Sequence, residues 1–563
     1  MRGRRDRLWM TGAGGLVAAA AAFVSHAVFG RIPHVQDSVA QLFQARIFAS
    51  GRLWAPSPPL PEFFAYPHVI NDGRWYAQYP PGHALLLTPG VWLGVPWLIN
   101  PLLAGLGTAA VYLLAREVYD RRVASWAALL ALLSPFLIFM AGGMMSHVGA
   151  FCLLTLHAWL LLRAVRTGGV GSGVAAGACL AGAVLVRPYA ALAGAAPLVL
   201  WAGVRVLRGG GAARRAVWCA VGGGLAGLLL YALYNWGTTG APWRPGYIEL
   251  YGPEHGLGFG QGSWGPPHTL ARGLTAAHRT LSALNAQLFL WPLSSLWPVA
   301  LALLPVMARR APAPRGVEPP QEQPSGGGRL PGRRFLLAAV PGALLAAYVF
   351  YWYHDFCFGP RYVYDALGPL LVLAAAGLLR AGEGMARLAQ RTRLVAEGDG
   401  PRRRAGSFAA ALLLGVLTAG AAAHGWPALV RAPGEAATAA PGTAARIRGY
   451  FLAYGPQYWG VSPYLGRLVA RAGLEQALVF TRFTEPQRDF LPVRHIWFGS
   501  AFAHQEPDLA RAAVVYAHDR GAENGRLMAL FPERRAYIYH GTIEAGRLLP
   551  AALSPPGAED DER

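Results

Sequence analysis

Residues 95–143 read VPWLINPLLAGLGTAAVYLLAREVYDRRVASWAALLALLSPFLIFMAGG. Two apolar stretches, near 95–115 and 123–143, flank a short polar patch that carries Arg116, Arg121 and Arg122. The hydrocarbon core of a bilayer is about 30 Å thick and takes about 20 apolar residues per helix. Arginine is kept to the gap because placing it at mid-membrane costs about 2.5–3.5 kcal/mol even on lenient scales. The same pattern extends in both directions. About eleven such runs are legible, near residues 8–29, 95–115, 123–143, 146–163, 172–188, 190–206, 216–236, 284–307, 335–353, 362–380 and 406–426. They predict an all-α polytopic membrane protein. The first run follows Met1-Arg2-Gly3-Arg4-Arg5, but its apolar stretch exceeds the roughly 7–15 residues of a signal-peptide core, so it reads as a retained anchor.

Composition agrees. Of 563 residues, 54% are hydrophobic and only 14% charged, with a mean hydropathy of +0.31, whereas soluble chains are about a quarter charged. All 50 basic residues are Arg, giving a formal charge of +21. The absence of Lys excludes a Walker-A lysine, a Schiff-base lysine and a Ser-x-x-Lys nucleophile pair. Cys152, Cys179, Cys219 and Cys357 are scattered without C-x-x-C spacing, which argues against a zinc site or a disulfide framework. The charge is explained by topology rather than by nucleic acid. Alternate connections between the runs, starting from the N-terminus, hold 26 Arg; the other connections before residue 430 hold 9, and the remaining 15 lie in a long tail. The positive-inside rule then places the N-terminus in the cytoplasm and the tail outside, in the cytoplasmic (inner) membrane.

The chain is expected to divide into a membrane domain, residues 1–430, and a small α/β extracytoplasmic domain, residues 431–563. Two outer loops, 31–82 and 237–283, interrupt the first. The tail alternates helix-like segments with strand-like runs at Ala477–Phe480, Ala512–Tyr516 and Ala536–Tyr539. The linkers 309–334 and 381–405 read as solvated connectors, and no repeat or inverted duplication is visible.

With this topology Asp37, His147, Arg187, Tyr247, Glu249, His354, Asp355 and Arg361 all fall on the outer side. Each either marks a polar cavity or anchors a helix end among lipid headgroups. Residues 33–48 fit a short amphipathic helix on the membrane surface, with Asp37 placed where an N-cap belongs. The aromatic second loop suits a sugar-binding lid at Tyr247 and Glu249, or an interfacial belt at Trp243.

An acidic residue just after the first span, then a jaw helix, then Tyr79-Pro80-Pro81-Gly82-His83 leading into the second span, resembles the GT-C glycosyltransferases. The resemblance is to the branch of protein O-mannosyltransferases and lipid A aminoarabinose transferases. Arg187-Pro188-Tyr189, the stretch Tyr234-Asn235-Trp236-Gly237 with Pro242 and Tyr247, and Phe358-Gly359-Pro360-Arg361-Tyr362 extend it to about residue 380. The resemblance implies a GT-C-like fold and a hexosyl or pentosyl transfer from a polyprenyl-phosphate sugar to a glycan, lipid or protein acceptor, with inversion. It implies Asp37 as general base, and a donor phosphate held by Arg361 and Arg187 with His354 and Tyr362. Weaker substrate contacts fall to His147, Tyr247, Glu249, Tyr79 and His83. The sequence departs from the family at the third span, where Ser146-His147 stands in place of a second acidic residue, and Ser38 follows Asp37 where some members pair Asp with Glu. A reaction without metal or other cofactor is therefore expected, since one carboxylate is a poor ligand set for a divalent ion. The alternatives are a transporter or flippase of lipid-linked intermediates, and a membrane scaffold.

Overall fold

The computed structural model describes residues 2–207, 211–305, 332–392, 394–396, 398–426, 460–484 and 496–551. The boundary expected at 430 and most of the 309–334 linker lie outside these residues. The molecule is mostly helical. Among the described residues, seven helices are long and apolar enough to cross a membrane: Arg4–Ala27, Pro96–Val118, His147–Thr167, Pro188–Leu207, Gly211–Thr239, Arg361–Arg391 and Asp399–Ala423. An eighth span is possible as a bent pair, Arg121–Leu132 and Pro135–Gly142, which meet at 56°.

Three of the expected eleven runs are not helices of that length. The run at 172–188 is the shorter helix Val170–Val186, and that at 335–353 is Arg333–Tyr348. The run at 284–307 is divided between Leu270–Gln287 and Trp297–Leu303. The bend in the pair has a local cause in Ser134-Pro135. Pro135 takes the first helical position and Ser134 caps the new helix by accepting from the Leu137 amide.

Burial separates the helices by position. The apolar window of Arg361–Arg391 is entirely buried and forms the middle of the bundle, whereas only 28% of the window in Gly211–Thr239 is buried. The latter presents Leu225, Leu229 and Trp236 outward. It nevertheless packs tightly on one side. Gly223 meets Gly177 of Val170–Val186, Gly227 meets Ala181 and Gly173 meets Ala216, and a Cβ added at Gly177 would lie 2.7 Å from the Cys219 carbonyl. Small residues four apart allow this backbone approach, which is how helices associate where lipid removes the hydrophobic drive. The arginine-rich ends gather at one end of the bundle, where Arg166 pairs with Glu117 at 2.5 Å and Arg116 with Asp6 at 2.9 Å. The 21 residues of His147–Thr167 run from there to the other end.

At that other end, the first loop and the tail share one core. The loop forms the helix Gln36–Ala49 and a small antiparallel sheet of β1 (Ala55–Pro56), β2 (Val69–Asp72) and β3 (Arg74–Ala77), in the order β1-β3-β2. The tail forms β4 (Ala477–Phe483), β5 (Val514–His518), β6 (Arg535–Gly541) and β7 (Gly546–Pro550), in the order β5-β4-β6-β7, parallel except for β7. Phe43, Tyr66 and Trp75 of the loop pack on Phe502 of the tail, with Tyr66 and Phe502 stacked at 4.6 Å. Arg46 donates to the carbonyls of Gln505 at 2.9 Å and Ala503 at 2.8 Å. The expectation of an amphipathic helix lying on the membrane is therefore corrected. Gln36–Ala49 is a helix, but protein covers nearly every residue of it, including Gln36, Gln41 and Gln44.

Replacing Gly177 with Val is expected to destabilise the protein by about 1–3 kcal/mol in thermal unfolding in detergent. Gly171→Ala, in open space on the same helix, should change stability by less than about 0.5 kcal/mol. Equal stability of the two variants would contradict the close helix contact.

Candidate active site

The helix Gln36–Ala49 begins with Val35 as its N-cap, and Ser38 Oγ turns back to donate to the Val35 carbonyl at 2.9 Å. Asp37 thus sits in the first turn and not at the cap, which corrects the simpler role considered for it. Its side chain is free to point away, and the helix N-terminus favours its negative charge. It points at Arg361, with Oδ1 3.5 Å from Nη1.

Arg361 opens the 3₁₀ turn Arg361–Ala366 that leads into the most buried helix. Phe358 and Gly359 precede it with φ of 56° and 88°. A left-handed Phe is uncommon, and such strain persists only where surrounding packing enforces it; here Phe29 holds the Phe358 ring edge-to-face at 5.4 Å. The reversal aims the guanidinium back between two carboxylates. Nη2 donates to Asp355 Oδ2 at 2.8 Å and Nε lies 2.6 Å from Asp355 Oδ1, while Nη1 faces Asp37. Arg187 occupies the junction between Val170–Val186 and Pro188–Leu207, extended as a residue before proline tends to be. It donates from Nε to Asp365 at 3.0 Å and from Nη2 to the Tyr348 hydroxyl at 2.9 Å.

These groups line one cavity of about 490 Å³. Asp37, Arg187, Asp355, Arg361, Tyr79, Tyr247 and Tyr362 all contribute to its wall, and so do Tyr189, Tyr231, Tyr251, Tyr348, Tyr351 and Tyr353. Nine of the chain's 22 tyrosines thus face a single space. Leu192, Leu257 and Ile248 supply an apolar margin. Burial alone would push the Asp37 carboxyl up, but Arg361, His68 and a hydrogen bond from Tyr79 outweigh it and hold it below its ordinary value. Burial raises the Asp355 carboxyl, Arg361 opposes the rise and Asp37 adds to it. The two carboxyls flanking one guanidinium are therefore pushed in opposite directions.

Four residues proposed from the sequence do not reach the cavity wall. His354 is held through Nε2 by the Tyr348 carbonyl at 3.1 Å, behind Tyr362. Glu249 turns to Arg244 at 3.1 Å. His83 is buried with Nε2 on the Met144 carbonyl at 3.0 Å. His147 is buried one residue beyond the wall, where its neighbour Ser146 takes the lining position. Asp365, the partner of Arg187, carries no signal in the sequence because it lies inside an apolar run, and the sequence marks Asp355 as a polar residue on the outer side without assigning it a role. His68 meets Gln78 Nε2 at 2.9 Å and the Tyr251 hydroxyl at 3.1 Å; no local sequence pattern marks it. The ground given for a metal-free reaction changes as well. A second carboxylate is present, but a guanidinium lies between the two. Among the described residues, no three His, Cys, Asp or Glu side chains gather as a metal site.

Residues 95–234 match the family of dolichyl-phosphate-mannose-protein mannosyltransferases, so the chain is similar to the class of enzyme its motifs resemble. Among solved structures, the chain is similar to ArnT from Cupriavidus metallidurans bound to undecaprenyl phosphate, at 16% identity and a TM-score of 0.49 over 94% of this chain and 92% of that one. A second similarity is to the archaeal oligosaccharyltransferase AglB from Archaeoglobus fulgidus in complex with an inhibitory peptide and a dolichol-phosphate. That match has 13% identity and a TM-score of 0.41, over 95% of this chain and 69% of that one. No curated protein matches the chain.

The Asp365 side chain is 0% exposed and rests on Arg187. Arg187→Met should therefore cost roughly 3–5 kcal/mol, because an unpaired charge stays buried. Adding Asp365→Leu should recover most of that loss in thermal unfolding. If the double variant is no more stable than the single one, the pairing is not what holds this wall.

Proposed function

We propose that the protein is a membrane glycosyltransferase that moves a sugar from a polyprenyl-phosphate donor to an acceptor hydroxyl. The observation that carries this reading is Asp37, a carboxylate on a helix N-terminus, paired with Arg361 at 3.5 Å on the wall of one tyrosine-lined cavity at an end of a membrane-spanning bundle. The family similarity of residues 95–234 and the order of the motifs support the same class.

The roles follow from the chemistry. The acceptor oxygen attacks the anomeric carbon as Asp37 removes its proton, and the bond from that carbon to the phosphate oxygen breaks. The acceptor becomes glycosylated, with the anomeric centre inverted, and polyprenyl phosphate leaves with the electron pair. A positioned general base contributes typically 10²–10⁴-fold. Arg361 and Arg187 hold the phosphate, since a planar guanidinium grips its oxygens in pairs and keeps its charge; Tyr362 adds a hydroxyl. Because arginine supplies the positive charge that the leaving phosphate needs, we propose a reaction that uses no metal. The sugar and acceptor would rest against the tyrosines, with Tyr79 hydrogen-bonded to Asp37 and Tyr247 edge-to-face on Tyr79. The arginine-rich ends lie away from the cavity, so the positive-inside rule puts the chemistry on the outer face of the cytoplasmic membrane, the N-terminus in the cytoplasm and the tail outside. Specificity for the acceptor, whether glycan, lipid or protein, would then be read on that face.

Purified protein given radiolabelled polyprenyl-phosphate sugars and candidate acceptors tests the proposal. Asp37→Asn is expected to retain donor binding while transfer falls by about 10²–10⁴-fold. An Asn variant that transfers normally would overturn the assignment. A protein that moves the lipid across a vesicle membrane without cleaving it would replace transfer with transport. For Arg361→Ala, donor affinity should fall at least tenfold; unchanged affinity would remove its phosphate role.

A further inference from the structure

Both edges of the Arg361 fork are occupied. Asp355 accepts from Nη2 at 2.8 Å and holds its other oxygen 2.6 Å from Nε as an ion pair, and Asp37 stands 3.5 Å from Nη1. A phosphate that is to grip this guanidinium in a paired fashion must take the place of one carboxylate. Asp37 is the group the proposed reaction needs ionised. Asp355 differs from the other carboxylate partner of an arginine here. Asp365 is 0% exposed and does not line the cavity, whereas the Asp355 side chain is 13% exposed and forms part of its wall. Charge gives a second reason. Asp37, Asp355 and Asp365 are three carboxylates against the two guanidiniums of Arg187 and Arg361, so an incoming anion meets an excess of negative charge.

We propose that Asp355 is the counter-ion that the donor phosphate displaces from Arg361, and that its carboxylate takes a proton from solvent as the phosphate docks. This rests on the reading that the cavity takes a lipid-linked phosphosugar. The groups facing the pair are Arg361 and Tyr362 from the 3₁₀ turn, Asp37 from the jaw helix, His68 and Tyr79 from the first loop, Tyr351, Tyr353 and Cys357 from the segment that carries Asp355, and Arg187 and His147 on the side of Arg361. Arg361 is the one cation among them that favours the charged form of Asp355, so a phosphate that draws it away removes the reason for that charge. Once transfer is complete, loss of the proton restores the ion pair, and Asp355 competes the product phosphate off Arg361. Asp355 is thus a positioning residue that acts through Arg361.

The test uses a polyprenyl methyl phosphate, a diester whose single charge does not change over the range studied, titrated into the full-length protein in nanodiscs at pH 6 and pH 8. Wild-type affinity should weaken with rising pH, by at least threefold across the range and by up to about tenfold per unit for one proton taken up. Asp355→Asn should bind at least threefold more tightly than wild type at pH 8 and vary less than twofold with pH, with a lower kcat and a lower KM for donor. A residue that merely holds the arginine in place would weaken binding at both pH values when replaced, and that result overturns the proposal. Wild-type affinity that is flat or tightens with rising pH overturns it independently of the variant. If wild type binds no diester at either pH, the lipid-phosphate reading fails, and this inference fails with it.

Discussion

One buried guanidinium shared by two carboxylates is the constraint on which the site depends. Asp37 comes from the loop after the first span, and Asp355 from the segment before the most buried helix. Arg361, at the start of that helix, joins them. Burying such charges costs several kcal/mol per ion before their attraction is counted. That cost is met only where geometry is enforced from outside. Here the Phe358-Gly359 reversal fixes Arg361, and the covered helix Gln36–Ala49 fixes Asp37. The result is a charged cluster held ready beside an apolar margin, which suits a ligand with an anionic head and a lipid body.

The tail contributes to this arrangement although none of the proposed chemistry is placed on it. Arg46, about two and a half turns beyond Asp37 on the same helix, is bound by tail carbonyls, and His518 at the end of β5 meets the Ala65 carbonyl at 2.8 Å. The strand ends of the tail sheet are thereby packed against the first loop. Through these contacts the orientation of Asp37 depends on residues more than 400 positions away in the chain.

Much of the fold was legible because lipid imposes a simple rule on sequence. A run of about 20 apolar residues bounded by arginine is hard to read otherwise, and eight of the eleven runs correspond to a long apolar helix or to the bent pair. Runs interrupted by proline were not separable by composition alone, as the Ser134-Pro135 bend and the division of 284–307 show. Asp37, Arg187 and Arg361 stood out as charges in an apolar setting, and the structure places all three on one wall. Neighbours were harder to rank. Whether His354 or Asp355 faces the cavity depends on a turn whose backbone signs no spacing reveals. The helix period of residues 36–49 was visible, but the tail that covers it was not, since that contact is non-local.

The central claim is that a phosphosugar lies in the cavity against Arg361 and Asp37, with its phosphate in the place that Asp355 holds on the guanidinium. An experimental structure with a non-cleavable phosphonate analogue of a polyprenyl-phosphate sugar tests it most directly. The account predicts phosphonate oxygens about 3 Å from the Arg361 guanidinium, the Asp355 carboxylate withdrawn from Nε and Nη2, and the Asp37 carboxylate on the face of the anomeric carbon opposite the phosphonate. A phosphonate bound outside the cavity, or one that shares its face of the sugar with Asp37, would contradict it.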